Sequence, residues 1–254
     1  MTNHHPLALP ERSSRPCAPF AVRRPHQPDP TTGGPLSDEQ NNTVLPGGPY
    51  LVAGSVPVTA KTPIMSEHGE PLTWKTDRPD EVKEKAALCR CGASSNKPYC
   101  DGTHASTEWD SSENAPEGTY AERAKSYGGE GIDVIDDRPI CVHAGFCGNR
   151  VTNVWKMAAK TGDTQIRAQA MAMIERCPSG ALTYDVEGET IEPDLPGEVA
   201  VIPDGPLWVT GGIEVTGTDG TPLERRNRVT LCRCGQSSSK PLCDGSHKEA
   251  GFTG

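Results

Sequence analysis

The chain has few aromatic side chains: three Phe, four Trp and five Tyr, or 5% of 254 residues. Its apolar residues amount to only 34%. That excludes one large apolar core and suits small, loop-rich domains that need staples. No run of 18 apolar residues occurs, so no membrane span is expected. An apolar h-region near the N-terminus is missing too, which leaves the cytoplasm as the expected location. Positive charge is also short: 25 Lys and Arg against 34 Asp and Glu, a net charge of -9. A nucleic-acid partner needs basic surface, so none is expected. No nucleophile–base constellation stands out, and His68 lies in a polar, turn-like stretch without a partner. Gly128-Gly129-Glu130-Gly131 does not read as a phosphate loop, which must follow a strand and open a helix. The expectation is a protein that is not an enzyme.

What the sequence does have is cysteine, ten in all. Five disulfides are the plain alternative, but nothing signals export. Cys89, Cys91, Cys100 and His104 follow the spacing C-x-C-x8-C-x3-H. Cys232, Cys234, Cys243 and His247 repeat it. Alternate residues of an extended chain face the same way, so Cys-x-Cys sets two thiolates side by side. Pro98 and Pro241 stiffen the return to the third cysteine, and Gly102 and Gly245 turn the chain so that His reaches back. Asp101 and Asp244 are placed to cap the following turn or to order backbone amides. Lys97 and Lys240 are placed to offset an anionic cluster or to bond near the histidine. Three thiolates and one imidazole form a metal-binding set. Structural zinc accepts that set, although zinc knuckles favour C-x2-C pairs; iron–sulfur clusters accept it as well.

The repeat extends upstream of the metal loop. Gly48-Pro49-Tyr50-Leu51-Val52 corresponds to Gly205-Pro206-Leu207-Trp208-Val209, and Gly69-Glu70-Pro71-Leu72 to Gly220-Thr221-Pro222-Leu223. Each copy reads as strand, turn, strand, then metal loop. The first copy is longer by a charged stretch, residues 77–85, read as a solvated loop or short helix. Two like units of this kind point to packing about a pseudo-twofold axis within one monomer. Residues 1–46 lack apolar periodicity and are read as disordered, with Cys17 a free thiol. The expected modules are residues 47–106 and 198–254, with a different domain at 107–197 between them.

The middle domain carries Cys141, Cys147 and Cys177, the last followed by Pro178. A helix is expected over 163–176, with Asp163 as N-cap and Ile166, Ala170, Met173 and Ile174 on one face. It delivers Cys177, and Pro178 stops it. Trp155 and Met157 are expected to pack beneath it. Residues 186–204 read as an acidic, Pro-rich linker with one strand at 198–202. Three inert cysteines are the alternative to a cluster site here. His143 is either a surface residue or a further ligand.

The pattern C-x-C-x2-S-x3-P-x-C-D-G-T/S-H resembles the mitoNEET-like CDGSH iron–sulfur family. Cys89, Cys91, Ser94, Pro98, Cys100, Asp101, Gly102 and His104 carry it in the first copy. Cys232, Cys234, Ser237, Pro241, Cys243, Asp244, Gly245 and His247 carry it in the second. Thr103 departs from the usual Ser. The resemblance implies one [2Fe–2S] cluster per copy, with two Cys on one iron and Cys plus His on the other. The middle motif, C-x5-C…C-P, resembles the divergent single-cluster ferredoxins. It implies a [3Fe–4S] cluster on Cys141, Cys147 and Cys177, or a [4Fe–4S] cluster if His143 joins them. The expected fold is α+β: two small β-rich modules paired through a β-cap, flanking a ferredoxin-like domain. The expected role is electron transfer with a redox partner protein. The alternatives are cluster storage or transfer to an apo acceptor, redox or pH sensing, and a zinc-binding interaction module.

Overall fold

A computed structural model of the chain describes residues 40–78 and 82–254. Cys17 and the rest of residues 1–39 lie outside the described residues, as do residues 79–81 of the charged stretch before Cys89.

The first strand corrects the expected N-terminal boundary. Asn41–Val44 forms β1, although residues up to 46 were expected to be disordered. Four residues with little apolar periodicity give no strand signal of their own. Pairing on both sides makes the strand, a case of tertiary context overriding local propensity. β2 (Tyr50–Ala53) runs antiparallel to β1, and β3 (Val58–Met65) and β4 (Pro71–Asp77) form a long hairpin. The turn expected at 69–72 lies slightly earlier: Ser66 N–H donates to the Glu70 carbonyl, and Pro71 already opens β4. β5 (Lys85–Leu88) leads into the first metal loop. Residues 82–84 of the charged stretch, between β4 and β5, are exposed and not helical.

The middle of the chain holds a second type of structure. α1 (Tyr120–Arg123) is closed by a Thr119–Glu122 capping box. β6 (Lys125–Tyr127) and β7 (Asp133–Asp136) follow, then α2 (Val154–Ala158) and α3 (Thr164–Glu175). β8 (Leu182–Val186) and β9 (Glu189–Ile191) complete an antiparallel sheet in the order β6-β7-β8-β9. Asp163 caps α3 as expected, accepting from the Gln165 and Ile166 amides. Ala170 and Ile174 are fully buried against the sheet, and Met157 of α2 packs in the same cluster with Trp155 at its edge. Residues 128–131 follow a strand, β6, but open no helix, so they lack the setting of a phosphate loop, as read from the sequence. A Cβ on Gly129 would strike the Ala158 carbonyl at the end of α2, and one on Gly131 the Thr161 carbonyl just after it, so these glycines serve close packing.

The last part repeats the first. β10 (Glu198–Val201), β11 (Leu207–Thr210), β12 (Glu214–Thr216) and β13 (Arg228–Leu231) lead to the second metal loop. The strands of the two ends are interleaved. One sheet has the order β12-β1-β2-β5 and the other β13-β11-β10-β3-β4. β12 joins β1 in parallel, with Asn42 opposite Val215, and β3 joins β10 in parallel, with Val58 opposite Val199. Val44, Tyr50, Val52 and Leu88 from the first part and Val199, Leu207, Val209 and Leu231 from the last form one buried core. Each half thereby covers apolar surface that its own short strands leave open, which suits a chain with so little apolar material.

The β3–β4 hairpin has no equal in the last part, where the returning strand is a single bridge, Thr216 to Pro222. It reaches the middle domain. Trp74 on β4 donates its indole N–H to the Arg176 carbonyl at 3.0 Å and stacks on Phe146 at 4.7 Å between ring centroids. Among the described residues, no helix is long and apolar enough to cross a membrane.

Candidate metal centres

Each metal loop is built by folding back along the strand before it. Cys89 N–H donates to the Pro98 carbonyl at 2.8 Å and Cys100 N–H to the Ala87 carbonyl at 2.9 Å. In the second loop Cys232 bonds Pro241 at 2.8 Å and Cys243 bonds Thr230 at 2.9 Å. The Ser94 and Ser237 hydroxyls brace the turns by donating to the Tyr99 and Leu242 carbonyls. Asp101 accepts from the amides of Ser95 and Thr103, and Asp244 from those of Ser238 and Ser246. Of the two roles expected for these aspartates, ordering loop amides is the one observed; the 3-10 turn at Thr103–Ala105 has no side-chain cap. Those bonds hold the Asp101 and Asp244 carboxyls well below the ordinary carboxylate range, against the burial that would raise Asp244.

The donors stand in pairs. Cys89 Sγ lies 3.9 Å from Cys91 Sγ, and Cys232 Sγ lies 3.7 Å from Cys234 Sγ. Cys100 Sγ lies 3.2 Å from His104 Nδ1, and Cys243 Sγ lies 3.4 Å from His247 Nδ1. A tetrahedral metal with thiolate bonds of about 2.3 Å keeps its donors about 3.7 Å apart, so each pair is spaced to share one ion. Among the described residues no three such donors are grouped to hold a single ion. The two donor pairs of each loop fit a group with two metal positions. Burial pushes the Cys243 thiol up to about 12, a penalty that a bound cation relieves.

Two features escaped the sequence reading. The residue between the paired cysteines is Arg in both copies, and both are about 1% exposed. Arg233 donates to the carbonyls of Gly205, Ile202 and Gly254 and stacks on Phe252. Arg90 donates to the Leu45 and Ser111 carbonyls, pairs with Glu113 at 3.5 Å and stacks on Trp109. Trp109 and Phe252 each stand five residues after their histidine, a matched spacing that was legible. The second feature is Tyr50, whose buried hydroxyl crosses to the other copy and donates to the Cys232 carbonyl at 2.7 Å. Its counterpart, Leu207, has no such reach.

Of the two roles expected for Lys97 and Lys240, bonding near the histidine is corrected. Lys240 is buried, donates to the Ser237 carbonyl and pairs with Asp110 at 3.3 Å; Lys97 lies over the Phe252 ring. Neither bonds a histidine; both tie one loop to the chain that follows a metal loop. The loops themselves meet at their backbones, where Cys91 and Cys234 form an isolated antiparallel bridge. A Cβ on Gly92 would lie 2.5 Å from the Cys234 carbonyl oxygen, and one on Gly235 2.7 Å from that of Cys91.

Cys141, Cys147 and Cys177 come from three places: the 3-10 turn at Arg138–Ile140, the strap before α2, and the end of α3. They line one cavity of ≈ 160 Å³ together with His143, Arg138 and Trp155. Burial comes first in raising the Cys141 and Cys147 thiols, the latter to about 11, and the neighbouring cysteines raise them further. Cys141 and Cys147, raised in this way, share the cavity with Cys177, and such a donor set fits a cationic group between them. His143 lies on the cavity wall with φ 55°; its side chain is exposed, and its amide donates to Cys141 Sγ at 3.4 Å.

Comparison with known families follows the same division. Residues 47–105 and 204–248 match the model described as iron-binding zinc finger, CDGSH type. Residues 127–187, between them, match the model described as divergent 4Fe-4S mono-cluster. A curated relative, the CDGSH iron-sulfur domain-containing protein 2 homolog of Drosophila ananassae, is 49% identical over 35 residues, 14% of this chain and 26% of the relative. The chain thus spans about a quarter of that relative's length. No solved structure matches. Two segments that match the CDGSH-type model thus flank one that matches the divergent 4Fe-4S model.

Proposed function

We propose that the chain is a three-cluster electron-transfer protein of the cytoplasm, acting on a redox partner protein and not as an enzyme. The observation that carries this reading is the donor arrangement: two Cys–Cys and Cys–His sets in contact, and a three-cysteine cavity within the same unit, Ser37–Gly254. Cys89 with Cys91, and Cys100 with His104, would each hold one iron of a [2Fe–2S] cluster. Cys232 with Cys234, and Cys243 with His247, would do the same. Cys141, Cys147 and Cys177 would hold the third cluster, a [4Fe–4S] type where His143 or an outside ligand completes it and a [3Fe–4S] type where nothing does. Bound clusters supply one-electron storage. The protein holds their ligands, shields them from water, and sets their potentials through neutral histidine in place of anionic thiolate.

We infer further that the two outer segments pair about a pseudo-twofold axis in a monomer. Shifting each residue of the Asn42–Val215 pair by 157 places gives Val199 and Val58, the pair seen in the other sheet. The reciprocal close approach of Gly92 and Gly235 supports the same relation.

A second reading, cluster storage or transfer with redox or pH sensing, is favoured by the half-buried setting of Cys100 and His104, where an acceptor has access. One experiment separates the two. Holoprotein is mixed with an apo-ferredoxin and, separately, with a reductase. Fast reduction with slow cluster loss supports electron transfer; the reverse overturns it.

A further inference from the structure

The two outer loops share a motif and differ in what surrounds them. Gly102 and Gly245 occupy the same motif position. A Cβ on Gly102 would meet nothing within 4 Å; one on Gly245 would lie 3.2 Å from the Val142 carbonyl oxygen and 3.3 Å from His143 Cδ2. The second loop is therefore packed against the strap between Cys141 and Cys147. The residue after the histidine differs in the same sense. Ala105 follows His104, whereas Lys248 follows His247 and its ammonium donates to the His143 carbonyl. A third pair agrees. Lys85, four residues before Cys89, is exposed, whereas Arg228, four residues before Cys232, is 1% exposed and donates to the Cys177 carbonyl at 2.7 Å. Burial follows the contacts: Cys243 is 2% and His247 6% exposed, while Cys100 and His104 are only half-buried.

We propose that the two outer sites have different redox partners: the Cys232–His247 site exchanges electrons with the centre at Cys141, Cys147 and Cys177 inside the molecule, across the contact of Val142 and His143 with Gly245 and Lys248, and the Cys89–His104 site exchanges them with a one-electron carrier protein. This rests on the three-cluster reading above. The Cys91–Cys234 backbone bridge joins the two outer sites, so the order along the molecule is middle centre, second loop, first loop, partner. Each step moves one electron: one centre is oxidised as its neighbour is reduced, the carrier protein supplies or removes the net electron, and no bond forms or breaks. Cys243 and His247 are the more buried Cys–His pair, and the open first loop touches nothing of the middle strap at Gly102.

The test is electron paramagnetic resonance of the reduced full-length holoprotein. His104→Cys and His247→Cys, each of which changes the ligand set of one cluster, assign the two [2Fe–2S] signals. The middle centre is then removed with Cys177→Ser. The expected result is loss of magnetic broadening in the His247-assigned signal and none in the His104-assigned signal. If Cys177→Ser fails to fold, wild-type protein poised at potentials that switch only the middle centre gives the same comparison. Lys248→Ala, which gives the second loop the first loop's residue, should weaken the broadening in part. Three signals with the change on the His104-assigned cluster, or on neither, would overturn this inference and leave the three-cluster reading standing. Absence of cluster signals would overturn that reading itself.

Discussion

Gly102 and Gly245 have φ of 91° and 93°, the same left-handed turn in the same motif. Around one there is open space; around the other lies the strap that carries two of the three middle cysteines. The ligand geometry of a loop is local, fixed by a proline return, a serine brace and an aspartate that collects amides. What the loop can exchange with is set by its neighbours, which the motif does not encode. Two copies of one binding motif therefore need not be two copies of one function.

The comparison breaks most completely where the loops touch. Gly92→Ala or Gly235→Ala places a methyl within 2.5 or 2.7 Å of the opposite loop's backbone, at φ of 81° or 77°. The strain is on the order of 3 kcal/mol or more. Either change should cost both outer clusters, read as loss of visible absorbance and of iron per chain. Loss from only one loop would show that the two fold independently. Replacing one histidine sharpens the comparison. His104→Cys and His247→Cys should each lower the potential of their own cluster by on the order of 100 mV, because thiolate adds negative charge where imidazole adds none. Redox titration followed by absorbance checks this; equal shifts in both clusters from one substitution would break the assignment.

Buried arginines give the next effect. Arg233→Met removes a charged donor from the carbonyls of Gly205, Ile202 and Gly254, the last two of which keep a backbone amide, and Arg90→Met removes one from Leu45 and Ser111 and the cation beside half-buried Glu113. Each should destabilise by about 3 kcal/mol, measured by chemical denaturation of the holoprotein. Values below about 1 kcal/mol would show the arginines to be replaceable packing. The smallest effect should come from Tyr50→Phe, about 1 kcal/mol for one buried hydrogen bond. Although Tyr50 belongs to the first copy, the spectrum it perturbs should be that of the second loop, whose Cys232 carbonyl it holds.

The residues that stand as donor pairs in each outer loop were legible because metal chemistry restricts donor type and spacing so narrowly that four residues suffice. α3 was legible for a similar reason: Asp163 and the apolar face from Ile166 to Ile174 are local signals. β1 was not, since four residues with two asparagines become a strand only through partners on each side. The interleaving of β12 with β1 and of β3 with β10 was hidden for the same cause, although the repeat pointed to a symmetric pair. A bond from Lys97 or Lys240 near the histidine was misjudged because closeness in sequence to a ligand was taken for closeness in space. Arg90 and Arg233 were overlooked although the same residue fills the same gap in both copies.

The central claim is that one chain carries two [2Fe–2S] clusters with histidine ligation and a third, ferredoxin-type cluster between them. Mössbauer spectroscopy of anaerobically purified, iron-57-labelled protein, with iron and sulfide counted on the same sample, tests it most directly. The account predicts about seven or eight iron per chain, depending on the middle cluster, with about eight acid-labile sulfides in either case. It also predicts two distinct ferric sites in each oxidised [2Fe–2S] cluster, one with two sulfur ligands from protein and one with sulfur and nitrogen. Colourless protein holding stoichiometric zinc, with no acid-labile sulfide, would contradict it.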